Sequence, residues 1–257
     1  MPDIQIHFFK YQGTGNDFIM IDDRVQRFPR ENEALVAKMC QRRFGIGADG
    51  LILLRPHKNT DFEMVYFNAD GKEGSMCGNG GRCTVQFAHD LGIFQTRTSF
   101  MAVDGLHEAY LENGLVALKM GDVHGIEQHG KDAFADTGSP HYLKFVEDLD
   151  QHPVLEEGRK IRHNFRKEGT NVNFLKMQGD TLQVRTFERG VEDETWSCGT
   201  GVTAAALFTA HINGPHAVPI QTKGGALQVR FERKADGKFE QIYLIGPAKK
   251  VFEGKWG

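Results

Sequence analysis

Met76-Cys77-Gly78-Asn79-Gly80-Gly81-Arg82-Cys83 and Ser197-Cys198-Gly199-Thr200-Gly201-Val202-Thr203 are two versions of one phrase. Each reads Cys-Gly-polar-Gly and runs into a segment of helical character, and they lie close to half the chain apart. A phrase repeated at that distance predicts a duplicated fold in which each half brings one thiol to a helix start. Backbone that approaches a ligand closely needs glycine. The first N–H groups of a helix have no partner within it, and with the helix dipole they bind anions such as a carboxylate. The same field lowers the pKa of a thiol, which at its ordinary value of about 8.5 is ionised only slightly at neutral pH. Matched thiols therefore point to chemistry that needs two equivalent groups facing one atom. One sulfur as thiolate would remove a proton from an α-carbon. The other, as thiol, would deliver one to the opposite face. Taken singly, a cysteine reads more readily as a small buried residue, and Cys40 and Cys83, on expected helix faces, read that way.

Outward from the two phrases, residues 78–91 carry Val85, Phe87, Ala88 and Leu91 at helical spacing, and residues 201–213 are rich in alanine. Strands are expected at 4–11, 18–21, 51–55, 61–68, 107–110 and 115–120, with a helix at 31–43 marked by Leu35, Ala37, Met39 and Cys40. The second half repeats the rhythm with strands at 141–146, 171–177, 182–188, 226–233 and 239–245, while 160–165 opens a further connection. Gly13-Thr14-Gly15-Asn16-Asp17, Gln178-Gly179-Asp180 and Ala235-Asp236-Gly237-Lys238 are turn signals. Each half thus reads as many short strands plus one apolar helix that begins at a Cys-Gly phrase. The fold class is a pseudo-duplicated α/β protein, α+β in its sheet, with the site between two lobes.

Composition narrows the function. With 257 residues, 40% hydrophobic and 25% charged, the chain has ordinary globular composition and enough apolar content for a core. A formal net charge of −3 offers no basic face for nucleic acid. No run reaches the roughly 18 apolar residues of a membrane span, and residues 1–12 lack the apolar core of a signal peptide. The expected location is therefore cytoplasmic, where disulfides are rare. Four scattered cysteines, with no C-x-x-C pair, make neither a disulfide scaffold nor a zinc site. Gly13-Thr14-Gly15-Asn16 falls short of a G-x-G-x-x-G dinucleotide fingerprint, and no phosphate-binding P-loop occurs.

Other polar residues could complete a site. Asn16, Asn68 and Asn171 lie at expected strand ends, where asparagine forms turns as readily as it binds ligands. Glu188 and Arg189 adjoin Gly190 just ahead of the second phrase. They suit the ammonium and carboxylate of one substrate, or stand as a solvated pair. His141, after Gly138-Ser139-Pro140, could orient a site group or simply pack.

Further stretches accompany the two phrases: Lys10-Tyr11-Gln12-Gly13-Thr14-Gly15-Asn16-Asp17-Phe18, Gly45-Ile46-Gly47-Ala48-Asp49-Gly50-Leu51, Asn68-Ala69-Asp70-Gly71, the run from Glu188-Arg189-Gly190-Val191-Glu192 to Cys198, and Gly246-Pro247-Ala248. Together, nearly end to end, the chain resembles the diaminopimelate epimerases. The resemblance implies two lobes, residues 1–119 with 245–257 and residues 120–244. Each would be a curled, mostly antiparallel sheet around a central helix, with the active site in the interlobe cleft. It implies an isomerase that interconverts L,L- and meso-diaminopimelate on the lysine and peptidoglycan route. No pyridoxal phosphate, other cofactor or metal would be needed. Cys198 would take the proton of the L,L isomer and Cys77 would return one, with roles reversed in the other direction. Gly78, Asn79, Gly199 and Thr200 would hold the reacting carboxylate. Asn16, Asn68, Asn171, Glu188 and Arg189 would read the distal end, and His141 and Glu188 would support catalysis. Phe252 stands where the family often has a tyrosine at the contact of a homodimer. Ser139 replaces a substrate-contacting asparagine of the family, and some members have glutamine where Gly50 stands; both changes touch distal recognition. A proline-racemase-like enzyme would use the same two thiols on a smaller substrate, but typically with histidine at the position of Asn79. A non-catalytic amino-acid-binding protein would have no use for either cysteine.

Overall fold

The computed structural model describes residues 5–210 and 213–257. The expected strand start at Ile4, and His211 and Ile212 near the end of the expected alanine-rich helix, lie outside those residues. The chain divides into two compact units, Met1–Leu118 with Pro247–Gly257, and Lys119–Gly246.

The first unit runs β1 (Ile6–Gly13), β2 (Asn16–Asp22), α1 (Glu33–Cys40), β3 (Gly50–Arg55), β4 (Phe62–Asn68), α2 (Gly78–Asp90), β5 (Arg97–Ala102), β6 (Gly105–Glu112) and β7 (Leu115–Lys119). The β1–β2 hairpin turns on Thr14 and Gly15, both at positive φ (51° and 86°), as a tight two-residue hairpin demands. β2 and β3 are parallel, as are β4 and β5. Parallel neighbours need a crossover, and α1 and α2 supply the two. The pairs β3–β4, β5–β6 and β6–β7 are antiparallel. Strand parity sorts the side chains between the helices. Ile19, Ile21, Leu51, Leu53, Val65 and Phe67 join Val36 and Met39 of α1 in one core cluster. Residues of opposite parity face α2: its Phe87 ring lies 5.0 Å from Phe9 and 5.5 Å from Tyr11. A sheet covered on both faces explains the continuous apolar runs of β2 and β3.

The second unit runs β8 (Glu127–His129), β9 (Asp132–Asp136), β10 (Pro140–Phe145), α3 (Val154–Asn164), β11 (Asn171–Gln178), β12 (Thr181–Glu188), β13 (Asp193–Thr195), α4 (Gly199–Phe208), β14 (Gly214–Thr222), β15 (Gly225–Arg233) and β16 (Phe239–Gly246). The chain then completes the first unit with β17 (Lys249–Trp256), antiparallel to β1. From β9 to β16 the pairing repeats that of β1 to β7: antiparallel β9–β10, parallel β10–β11, antiparallel β11–β12, parallel β12–β14, then antiparallel β14–β15 and β15–β16. α4 packs on every strand of that series, so the sheet curls around it. α3 covers the other face through Val172, Phe174 and Phe187.

α1 falls within the helix expected at 31–43, but the second half carries a helix beyond the one built on its Cys-Gly phrase: α3 takes in residues 160–164 of the expected connection, with Phe165 as its C-cap. α3 is polar along most of its length, and only Val154 and Gly158 are buried, which hides it from an apolar pattern. The strands at 97–102, 127–129, 132–136, 214–222 and 249–256 were likewise not expected; few positions of 127–129, 214–222 and 249–256 are buried, whereas 97–102 and 132–136 bury half or more of theirs. Among the described residues no helix is long and apolar enough to cross a membrane.

Candidate active site

Cys77 is the N-cap of α2 and Cys198 the N-cap of α4, both with extended backbone (φ −107°, ψ 125° and φ −118°, ψ 112°). These are equivalent places, since each helix is the second crossover of its unit. The first turn bonds are Gly81 N–H to the Cys77 carbonyl (2.7 Å) and Val202 N–H to the Cys198 carbonyl (2.9 Å). The amides of residues 78–80 and 199–201 thus lie outside the helices' own ladders. Neither helix carries an acidic residue in its first turn, so no carboxylate of its own first turn neutralises the positive end of either dipole. Gly80 lets α2 settle onto the sheet: a Cβ there would lie 3.2 Å from Ile52. Gly201, at the matching position of α4, has a Cβ site only 2.4 Å from Asn173 Oδ1.

Around Cys77 the hydrogen bonds have a forced direction. Arg82 is fully buried on α2, and its Nη2 donates to Asn79 Oδ1 (2.9 Å) and Thr14 Oγ1 (3.2 Å). A guanidinium only donates, so the Asn79 amide must turn its Nδ2 onward, to Asn16 Oδ1 at 3.3 Å. Asn16 in turn donates from Nδ2 to Asp49 Oδ2 (2.6 Å). Asn16 Oδ1 therefore faces the Cys77 sulfur, 3.6 Å away, as an acceptor for its S–H. Burial disfavours the Arg82 charge, and only negative charge on the Cys83 or Cys77 sulfur would oppose that. No described carboxylate pairs with Arg82, and its Nε and Nη1 have no protein acceptor.

Around Cys198 the partners differ. Its sulfur lies 3.5 Å from Thr200 Oγ1, which lies 2.9 Å from His141 Nε2. His141 Nδ1 lies 3.1 Å from Asn173 Nδ2, and Thr186 donates to Asn173 Oδ1 at 2.9 Å. Thr137 Oγ1 ties the Thr200 carbonyl at 2.9 Å. His141 is fully buried, and desolvation, with the nearby Arg189 charge, pushes its pKa down to about 3. It stays neutral through the physiological range.

The diaminopimelate epimerase family profile matches residues 8–124 and 133–251, two stretches that each hold one of these helix starts. The chain belongs to the diaminopimelate epimerase family. It is 50% identical over 252 residues to a diaminopimelate epimerase of Flavobacterium psychrophilum, covering 95% of this chain and 98% of that one. Among solved structures it is similar to a PhzF-family phenazine biosynthesis protein of Bacillus anthracis (TM-score 0.79, 14% identity, 98% and 99% of the two chains). It is also similar to a probable proline racemase of Agrobacterium radiobacter K84 (TM-score 0.72, 14% identity, 98% and 93%). At such identities these two likenesses concern the fold alone.

Of the residues the family resemblance singles out, Asn16, Gly78 and Asn79 gather at Cys77, and Gly199, Thr200 and His141 gather at Cys198. Asn171 is committed to backbone: Oδ1 accepts the Arg189 N–H (2.9 Å) and Nδ2 donates to the Pro140 carbonyl (3.0 Å). It thereby fixes the turn that presents Glu188 and Arg189, whose Nη1 reaches the Glu168 carbonyl at 3.2 Å. Asn68 ends β4, exposed, with its amide over Gly74. Ser139 is half-buried, and its carbonyl accepts the Thr137 N–H. At Gly50 a Cβ would meet the Phe67 carbonyl and the Tyr66 ring, each at 2.5 Å, so here Tyr66 fills the space a longer residue would need. Cys40 and Cys83 are buried, and desolvation pushes both thiols up to about 12. Arg82, Asp49, Asn173 and Thr186 carried no expected role. Arg82 stands three residues after Asn79, a helical neighbour spacing that could have revealed it.

Proposed function

We propose that this protein is a diaminopimelate epimerase that inverts one α-carbon by thiol–thiolate acid–base chemistry, without a cofactor. The observation that carries the reading is the placement of Cys77 and Cys198 as N-caps of equivalent helices in a chain of this family. A carboxylate held by the amides of Gly78 and Asn79 and of Gly199 and Thr200 would have its α-carbon between the sulfurs. Cys198, as thiolate, takes the α-proton of the L,L isomer, and Cys77, as thiol, protonates the opposite face to give the meso isomer. The reverse reaction exchanges the roles. Asn16, Asn68, Glu188 and Arg189 read the distal amino-acid end, and Asn171 contributes by holding the turn that presents the last two. The two carboxylates of the substrate favour this reading over a proline-sized one, since Arg189 supplies a second cationic contact. His141 and Glu188 support the site rather than transfer the reacting proton. We place the enzyme in the cytoplasm, where thiols stay reduced, on the route to lysine and peptidoglycan precursors. A homodimer would cover the exposed Val251 and Phe252 of β17.

Incubation of L,L-diaminopimelate with the reduced protein in heavy water is expected to give α-deuterated meso product. Absence of both exchange and product would overturn the reading. Cys77→Ala and Cys198→Ala should each abolish epimerisation, and near-full turnover by either would exclude the two-base mechanism. If the two thiols serve one α-carbon, oxidation should inactivate reversibly by joining them in a disulfide.

A further inference from the structure

We propose that Asn173 is a positioning residue for this reaction: it holds His141 as the Nε2–H tautomer and so keeps the Thr200 hydroxyl proton available to the Cys198 sulfur. The inference rests on the epimerase reading for its relevance to turnover, while its structural content stands on unit two alone.

His141, Asn173 and Thr186 lie side by side on the sheet face turned to α4. Leu143, Leu175 and Val184, of the same strand parities, belong to the core packed there. Asn173 and Thr186 are direct partners in the β11–β12 ladder. All three are nearly or fully buried, with Thr186 the most exposed at 3%. The Asn173 amide has one admissible orientation. Its Nδ2 reaches the Tyr142 carbonyl at 3.2 Å, and a carbonyl can only accept. Oδ1 therefore takes the Thr186 hydroxyl at 2.9 Å, and the same Nδ2 donates to His141 Nδ1 at 3.1 Å. A ring nitrogen that accepts carries no proton, so the neutral imidazole bears its proton on Nε2. That N–H donates to Thr200 Oγ1, 2.9 Å away.

The consequence falls on sulfur. With Nε2–H as donor, Thr200 keeps its own proton free, and Cys198 Sγ lies 3.5 Å from the oxygen. A donated hydrogen bond favours thiolate. In the other tautomer Nε2 would accept the Thr200 proton, and the hydroxyl could offer sulfur only a lone pair, which favours thiol. The groups hydrogen-bonded to His141 are Asn173 on β11 and Thr200 on α4, with Thr186 on β12 behind Asn173; the nearby charge, Arg189, disfavours an imidazolium. At Cys77 the contact runs the other way, the sulfur donating to Asn16 Oδ1 at 3.6 Å.

Three measurements decide the matter. Nitrogen-15 NMR of histidine-labelled enzyme, with His141 assigned by difference against His141→Gln, should show the neutral Nε2–H tautomer across about pH 5–8. The Nδ1–H form, or an imidazolium near pH 6, overturns the proposal whether or not any variant folds. In a Cys77→Ser background the thiolate absorbance below the range of Cys40 and Cys83, both near 12, reports Cys198. Asn173→Asp replaces the donor with an acceptor, flips the tautomer and should cut the thiolate fraction at neutral pH about tenfold. Thr200→Val should do the same, and Thr200→Ser should restore it. The Cys77 titration, read in a Cys198→Ser background, should not move. An unchanged Cys198 curve in folded Asn173→Asp, or equal shifts in both thiols, overturns the proposal. In turnover, kcat should fall with KM kept, because Asn173 does not touch substrate. Absence of turnover in the parent enzyme would defeat the epimerase reading and leave the tautomer and titration results standing.

Discussion

Arg82 is the residue where stability and function part. A fully buried guanidinium without a carboxylate is costly, and here two of its nitrogens have no acceptor. What it supplies is orientation: its bond to Asn79 Oδ1 decides which end of that amide faces the site. The equivalent residue of α4 is the buried Thr203, so the cost is borne at one helix start and not the other. Arg82→Met is expected to leave the melting temperature unchanged or raise it, as removal of buried charge often does. It should raise KM several-fold through loss of about 1 kcal/mol of amide positioning. A thermal melt beside a kinetic titration checks this; a large fall in Tm would show the guanidinium to be a net stabiliser.

At the scale of the element, the helices divide into two kinds. α2 and α4 are apolar, start at the cysteines and were legible from their glycines and apolar spacing. α1 and α3 clamp the opposite sheet faces, and α3 was hidden because so few of its residues are buried. Its Gly158 is where it meets the sheet: an added Cβ would lie 2.5 Å from Phe187 Cβ. Alanine improves helix propensity by up to about 1 kcal/mol, but overpacking against an atom fixed to the backbone costs about 1–3 kcal/mol. Gly158→Ala should therefore destabilise, read as a lower urea midpoint at unchanged slope. Asn173 carries a signal of its own in the strand pattern of β11. In Asn171-Val172-Asn173-Phe174-Leu175 it shares parity with the core residue Leu175, and a polar side chain at a core parity must be satisfied locally or serve a site.

Across the whole molecule, burial of His141 makes the native state sensitive to acid. Its folded pKa is lowered from 6.5 to about 3. Below pH 6.5 the unfolded chain takes up a proton that the folded chain refuses, so stability falls as pH falls, by at most about 1.4 kcal/mol per pH unit from this residue. Burial pushes the carboxyls of Asp17 and Glu194 up, but their Arg and Lys partners together outweigh it and hold both below their ordinary values of 3.8 and 4.5, so they add their losses only at lower pH. Urea midpoints should thus drop between pH 6.5 and 5, before the carboxylates titrate, and His141→Gln should flatten that interval. A flat wild-type profile would mean that His141 accepts a proton in the folded state. By itself the sequence determined the duplication, the helix starts at Cys77 and Cys198, most inner strands and the family. Those features are local: glycines at tight approaches, period-two apolar runs and a phrase written twice. Only the tertiary structure decided the polarity at each thiol. Arg82 with Asn79, and His141 with Asn173, Thr186 and Thr200, meet through strand register and helix packing. The direction of each hydrogen bond is then set by backbone carbonyls and guanidinium donors that no linear spacing displays.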